Sequence, residues 1–193
     1  MREGTLTADV LTGPVLPAGK LGTWWFLASE IPTFGGLIAC YILMRLGSEG
    51  WAEAASHLSL VFPSINTFLL LTSSMTMVMA HAAVEAGDEQ KLRLFLGITV
   101  LLGLGFLGVK ALEYTREIAH GFTPDAGLFW SFYYGMTGLH ALHVAGGIVV
   151  NLVLFLTAPG GSAAQKHRVE FAGLYWHFVD LVWVFLFPLL YLA

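Results

Sequence analysis

Five stretches of this chain are each long and apolar enough to cross a lipid bilayer: roughly Leu21 to Met44, Ser64 to Val84, Leu94 to Leu112, Phe129 to Thr157 and Phe171 to Leu192. A hydrocarbon core of about 30 Å takes about 20 mainly apolar residues of helix. A helix also satisfies its own backbone hydrogen bonds, which lipid cannot do. The stretches use most of the 193 residues, so the sequence predicts an all-α integral membrane protein, a bundle of five transmembrane helices. Residues 1–20 are expected to form a cytoplasmic N-terminal tail and residues 21–193 a single membrane domain. Composition agrees, with 56% hydrophobic residues, only 11% charged residues and a mean hydropathy of +0.73, where soluble domains carry about a quarter charged residues.

Arg2, Glu3, Asp9, Pro14 and Pro17 leave no continuous apolar run for a cleaved signal peptide. The first helix is therefore expected to act as the insertion signal. With alternating helices, Arg2, Lys20, Lys91, Arg93, Lys166 and Arg168 fall on one side of the membrane, against Arg45, Lys110 and Arg116 on or near the other. That bias predicts a cytoplasmic N-terminus and an external C-terminus. The formal charge of −4 is spread over loops, and no basic run suggests nucleic acid. The single cysteine, Cys40, cannot build an internal disulfide, a Cys-rich zinc site or an iron–sulfur cluster, and reads as a small packing residue.

The segment from Arg45 to Pro63 reads as a loop, with Trp51 as an interface anchor, and Glu113 to Gly127 as an external turn. Pro159-Gly160-Gly161-Ser162 ends the fourth helix. Gly35, Ala39, Gly103, Gly105, Gly108, Ala141, Ala145, Gly146 and Gly147 are expected to allow close helix approach. Asn66, Thr67, Thr72, Ser73, Ser74 and Thr76 make the second span weakly hydrophobic, which favours an interior position for it.

Ionisable residues inside the apolar spans are the main clue to function, because each is costly to leave facing lipid. Glu30 lies mid-span near Pro32 and should be protonated, paired or hydrated. His140 and His143 share one helical face, as do His177 and Asp180, at the spacing that brings side chains together on a helix. A histidine pair is compatible with a metal but does not complete a site by itself; His81 and His177 could supply further ligands, as in a bis-histidine haem between facing helices. The competing reading is hydrogen bonding across helices. Lys110 and Glu113 read as an ion pair near a helix end, and Met75, Met77 and Met79 as packing residues, with Met77 pointing away from the other two. No phosphate-binding loop, nucleophile elbow or catalytic triad is present in the sequence.

At these same residues the sequence resembles subunit III of the haem-copper respiratory oxidases, typified by cytochrome c oxidase. The Tyr175-Trp-His-Phe-Val-Asp-Leu-Val-Trp183 segment is similar to a signature of that family, as is His140-Ala-Leu-His143-Val-x-x-Gly147. Lys20-Leu-Gly-Thr-Trp, Ala28-Ser29-Glu30, Phe34-Gly35-Gly36, Pro63-Ser-Ile-Asn-Thr67, Ser73-Ser74, Ala80-His81, Gly87-Asp88 and Glu113-Tyr114 follow in the family's order. The resemblance covers the chain from Lys20 to its end. It implies a non-catalytic accessory subunit of a proton-pumping terminal oxidase, in direct contact with subunit I and in one complex with subunit II, in the bacterial cytoplasmic membrane. Haem and copper would belong to the partners, with no cofactor, metal or catalytic centre in this chain. Bound phospholipid and support of proton uptake are further implications, with Glu30, His81, His140, His143, His177 and Asp180 as the lipid-binding or proton-related positions. Five spans, without the two extra N-terminal helices of the seven-helix form, leave the source of the family's lipid cleft open, since an extended subunit I would have to share it.

Other functions stay open at this point. The same subunit could serve a quinol oxidase or a nitric oxide reductase complex. A stand-alone membrane cytochrome would use His81, His140, His143 and His177 as haem ligands. A transporter would use Glu30, His177 and Asp180 as a proton path, although the sequence shows no inverted repeat or paired broken helices.

Overall fold

A computed structural model of the chain describes residues 18–157 and 163–192. Six helices appear there: α1 (Ala18–Gly47), α2 (Trp51–Ser56), α3 (Val61–Glu85), α4 (Glu89–Ala119), α5 (Leu128–Thr157) and α6 (Ala163–Tyr191). All but α2 are long and apolar enough to cross a membrane, which matches the five expected spans. Most of the N-terminal tail, residues 1–17, and the Pro159 to Ser162 break lie outside the described residues.

The helices overrun the apolar windows that announce them. At about 1.5 Å rise per residue, the 31 residues of α4 span about 46 Å, well beyond a hydrocarbon core of about 30 Å. Its start is fixed by Asp88, whose carboxylate accepts the Lys91 N–H at 3.0 Å, the N-cap arrangement that satisfies an orphan donor. Gly87, at φ 74, makes the tight turn from α3 possible. The far end runs past Leu112 to Ala119 and stops before Gly121, at φ 85. The turn expected over Glu113 to Gly127 therefore begins later than the sequence reading placed it. Likewise α6 takes in Lys166, His167 and Arg168 as early helical turns.

The spans form an up-and-down bundle. α3 packs along α4 and α6, α4 on α5, and α5 on α6, while α1 leans on α6 and α5 at the edge. The α3–α6 register is antiparallel: Trp183 donates to the Thr67 hydroxyl at 3.0 Å, Trp176 to Ser73 at 3.0 Å, and Lys166 meets Glu85 at 3.3 Å. Those indole bonds and the 2.7 Å Thr76–Thr99 contact show that Thr67, Ser73 and Thr76 face neighbouring helices, as the composition of α3 suggests, whereas Thr72 bonds back to the Phe68 carbonyl of its own helix.

Glycine sets the tightest approaches. A Cβ on Gly147 would sit 2.6 Å from the Trp176 ring, and one on Gly103 would lie 2.8 Å from Ile148 and 2.9 Å from Trp176. Gly35 and Gly108 have nothing within 4 Å of such a Cβ, so the close helix contact expected there is not made within this chain. Cys40 is exposed and does not pack in the bundle. Trp51 is not an interface anchor. It is buried under the α1–α3 connection, edge-on to Tyr41 at 5.0 Å and near Phe129 and Phe132 at 6.0 Å. Met77 is fully buried whereas Met75 and Met79 are exposed, so only Met77 has the core-packing role expected of all three.

Candidate functional site

The mid-span ionisable residues do not converge on one centre. They fall into separate polar clusters, each built where two helices cross.

The first joins α1 to α5. Glu30 Oε2 lies 3.2 Å from His143 Nε2, each side chain 15% exposed. His143 Nδ1 is 2.9 Å from the Leu139 carbonyl, and a carbonyl only accepts, so Nδ1 carries the hydrogen. Nε2 is thus the nitrogen that faces the Glu30 carboxyl, and this contact gives Glu30 the partner that its position in the span requires. Phe34 stands edge-on to the imidazole at 5.1 Å and Tyr175 donates to the His143 carbonyl at 2.9 Å, so the pair is held from α1, α5 and α6.

The second cluster lies between α3 and α6. His177 Nδ1 is 2.7 Å from the Ser74 hydroxyl, and His177, His81 and Glu170 line a cavity of about 220 Å³ between the two helices. Asp180, one turn beyond His177, is buried. Neither of its oxygens makes a hydrogen bond, although the Ser74 hydroxyl is close enough to act on the carboxyl.

His140 stands apart from both. It is fully buried, with its ring over Trp183 at 5.3 Å and edge-on to Phe106 at 5.4 Å, and neither nitrogen has a hydrogen-bond partner. The four span histidines thus belong to three different helix crossings. Among the described residues no three His, Cys, Asp or Glu side chains are grouped as a metal site would need.

The sequence reading missed a further cluster. Lys110 and Glu113 pair at 3.0 Å as expected, but they are 2% and 1% exposed, and α4 continues two turns past them. They form the buried centre of a four-residue network instead of a helix-end pair. Lys110 Nζ donates to Tyr133 at 3.2 Å and to Tyr191 at 2.6 Å, and both phenols donate to Glu113 Oε1, at 2.8 and 2.7 Å. The rings of Tyr114, Tyr133, Trp183 and Tyr191 surround the ammonium at 4.7–5.6 Å, within the range of cation–π attraction. The concentration of tyrosines on the neighbouring spans was the available signal.

Beside the Glu30–His143 pair runs a groove of about 770 Å³ between α1, α5 and α6. Its walls include Phe26, Val150, Val153, Phe171 and Tyr175, and Arg168 supplies a cation at the end where α6 begins.

The profile of the family described as Cytochrome c oxidase subunit III matches this chain over residues 1–193. The chain belongs to that family. Its relatives in the subunit III family include the cytochrome c oxidase subunit 3 of Thermostichus vulcanus, 39% identical over 175 residues, which are 89% of this chain and 86% of that protein. The subunit 3 of Bacillus sp. (strain PS3) is 37% identical over 201 aligned positions, covering 98% of this chain and 96% of that protein. A probable quinol oxidase subunit 3 of Staphylococcus haemolyticus is 32% identical over 176 positions, 90% of this chain and 88% of that protein. The chain is thus a haem-copper oxidase subunit III, a multi-pass membrane protein that works in a complex with other oxidase subunits.

Proposed function

We propose that this subunit III is the non-catalytic accessory subunit of a proton-pumping cytochrome c oxidase of aerobic respiration. It sits in the bacterial cytoplasmic membrane with its N-terminus cytoplasmic and its C-terminus outside. It contacts subunit I directly, shares the complex with subunit II, and stabilises the catalytic subunit. Haem and copper belong to those partners, while this chain binds phospholipid and supports proton uptake through the polar groups in its spans.

The observation that most supports the lipid part is the α1–α5–α6 groove. Its apolar walls suit acyl chains, and the Arg168 guanidinium at one end suits a phosphate, which arginine binds through paired N–H donors. The Glu30–His143 pair lies on the same three helices and supplies a proton-carrying group at mid-span. Support for partner contact comes from α1, whose Trp25, Ile31, Leu43 and Leu46 are exposed on a helix that touches the bundle only at its edge.

The test is to tag the chain, extract native membranes in mild detergent, and identify what co-purifies. Recovery of an oxidase subunit I in equal amounts is the expected result, and the accompanying subunit II identifies a cytochrome c or a quinol donor. Recovery of the chain alone would refute the accessory-subunit reading.

A further inference from the structure

We infer that the α3–α6 seam is a proton inlet that loads Asp180 from the membrane face carrying the α3–α4 turn. This deepens the proton-uptake part of the proposed function and rests on it, by naming a route and the group at its end.

The polar residues of the two helices are matched across the seam. On α3, Ser74 and His81 are two turns apart on one face; on α6, Glu170 and His177 have the same spacing, and Asp180 follows one turn later. Because the helices are antiparallel, Ser74 meets His177 at 2.7 Å and His81 shares the cavity with Glu170. At the rim the Glu85–Lys166 pair closes the seam, and Glu170 is held by Lys20 from α1 at 3.1 Å and by His167 at 3.4 Å. From Glu170 to Asp180 the route covers about 15 Å of helix rise.

The cavity of about 220 Å³ exceeds the roughly 30 Å³ that one water occupies in the liquid, and His81, Glu170 and His177 offer the polar partners that buried water needs. One helical turn beyond His177, on the side away from the rim, stands Asp180, buried and without a hydrogen bond. An unpaired carboxylate there is far costlier than the neutral acid, so an Asp180 that has given up its proton is a strong acceptor for the next one to arrive along the seam, and it rests as the acid between such events. Ionisable side chains placed this way inside a membrane bundle are the material of proton relays.

The step balances through one histidine and one hydroxyl. A hydronium in the cavity gives a proton to the outer nitrogen of His177 and leaves water. His177 passes its Nδ1 proton to the Ser74 oxygen, and Ser74 gives its own hydroxyl proton to the Asp180 carboxylate. The net change is one proton moved from cavity water to Asp180, with His177 left as its other neutral tautomer.

Infrared spectroscopy of the purified full chain, together with whatever co-purifies, tests this. The C=O band of a protonated carboxyl shifts to lower frequency when its proton is replaced by deuterium, and Asp180→Asn identifies the band by removing it. The expected result is a shift within seconds of transfer to D2O, slowed at least tenfold in Ser74→Ala and in His177→Phe. His81→Phe, at the mouth, should slow it less while leaving the fold intact. The inlet is overturned if Asp180→Asn removes no such band, or if exchange in Ser74→Ala and His177→Phe matches wild type. These outcomes are separate from the co-purification result: unchanged exchange with subunit I still bound sinks the inlet alone, whereas loss of subunit I sinks the accessory-subunit reading whatever the exchange rate.

Discussion

Lys110 and Glu113 face each other at 3.0 Å with almost no exposure, and the partners that complete them come from two other helices, Tyr133 on α5 and Tyr191 at the end of α6. One buried ion pair thereby ties α4, α5 and α6 together near the α4–α5 turn and the end of α6.

Removing one member of such a pair leaves an uncompensated charge. Lys110→Met or Glu113→Gln should each lower stability by about 3–5 kcal/mol. The double variant should recover more than half of that loss, because no lone charge remains buried. Thermal unfolding in detergent checks this, and a double variant as unstable as the worse single one would refute it.

Gly147 and Gly103 hold α5 and α4 against Trp176. Gly147→Ala should cost about 1–3 kcal/mol by overpacking, whereas Gly108→Ala, with nothing within 4 Å of the new methyl, should be neutral or stabilising by up to about 1 kcal/mol through helix propensity. Equal effects at both sites, read from the same melting curves, would contradict the packing argument.

The Asp88 cap carries a pH dependence. The Lys91 backbone N–H, with the Lys91 ammonium beside it, holds the Asp88 carboxyl below its ordinary 3.8. A carboxyl lowered in the folded state contributes stability above 3.8, and the contribution is lost as pH falls through the folded value. Asp88→Asn keeps a side-chain oxygen for the cap but does not titrate. Melting temperatures followed from about pH 5 to about pH 2 should therefore fall more steeply in wild type than in the variant, and parallel curves would count against the cap.

Filling the groove should displace lipid. Val150→Trp narrows it between α5 and α1, and Arg168→Gln removes its cation. Native mass spectrometry of the purified protein should show fewer retained phospholipids in both variants, with Arg168→Gln acting mainly on anionic ones. Retention at wild-type levels in both would remove the groove as the lipid site.

Glu30→Gln keeps the shape of the Glu30–His143 contact but takes away the acid. In the intact oxidase, faster inactivation during turnover or slower proton uptake is expected. If turnover, pumping stoichiometry and inactivation rate are all unchanged, the pair is structural only.

Much of this organisation is legible in the residues themselves. Hydropathy over windows of about 20 residues reports the free energy of placing a segment in lipid, so the five spans follow from the sequence. The polar side chains of α3 require an interior position, Glu30 requires a partner, and the motifs around His140 and His177 point to the family. Helix ends are less legible: the α4 turns beyond Leu112 are polar enough to read as loop, although α4 runs on to Ala119 with Glu113 and Glu117 buried against the bundle. Trp51 is misread because an aromatic near a span end looks the same whether it meets headgroups or folds back onto Tyr41.

What the sequence by itself determined is which segments enter the membrane and which residues cannot face lipid. What only the tertiary structure decided is who meets whom. A lysine three residues before a glutamate reads the same at a helix end as in a core. The close approach of α4 and α5 to Trp176 at Gly103 and Gly147 accompanies the meeting of Tyr133 and Tyr191 with that pair, while the α3–α6 and α1–α5 contacts bring Ser74 to His177 and His143 to Glu30. Such pairings depend on helix rotation and offset, and these are fixed by packing between segments far apart in the chain, which no local window contains.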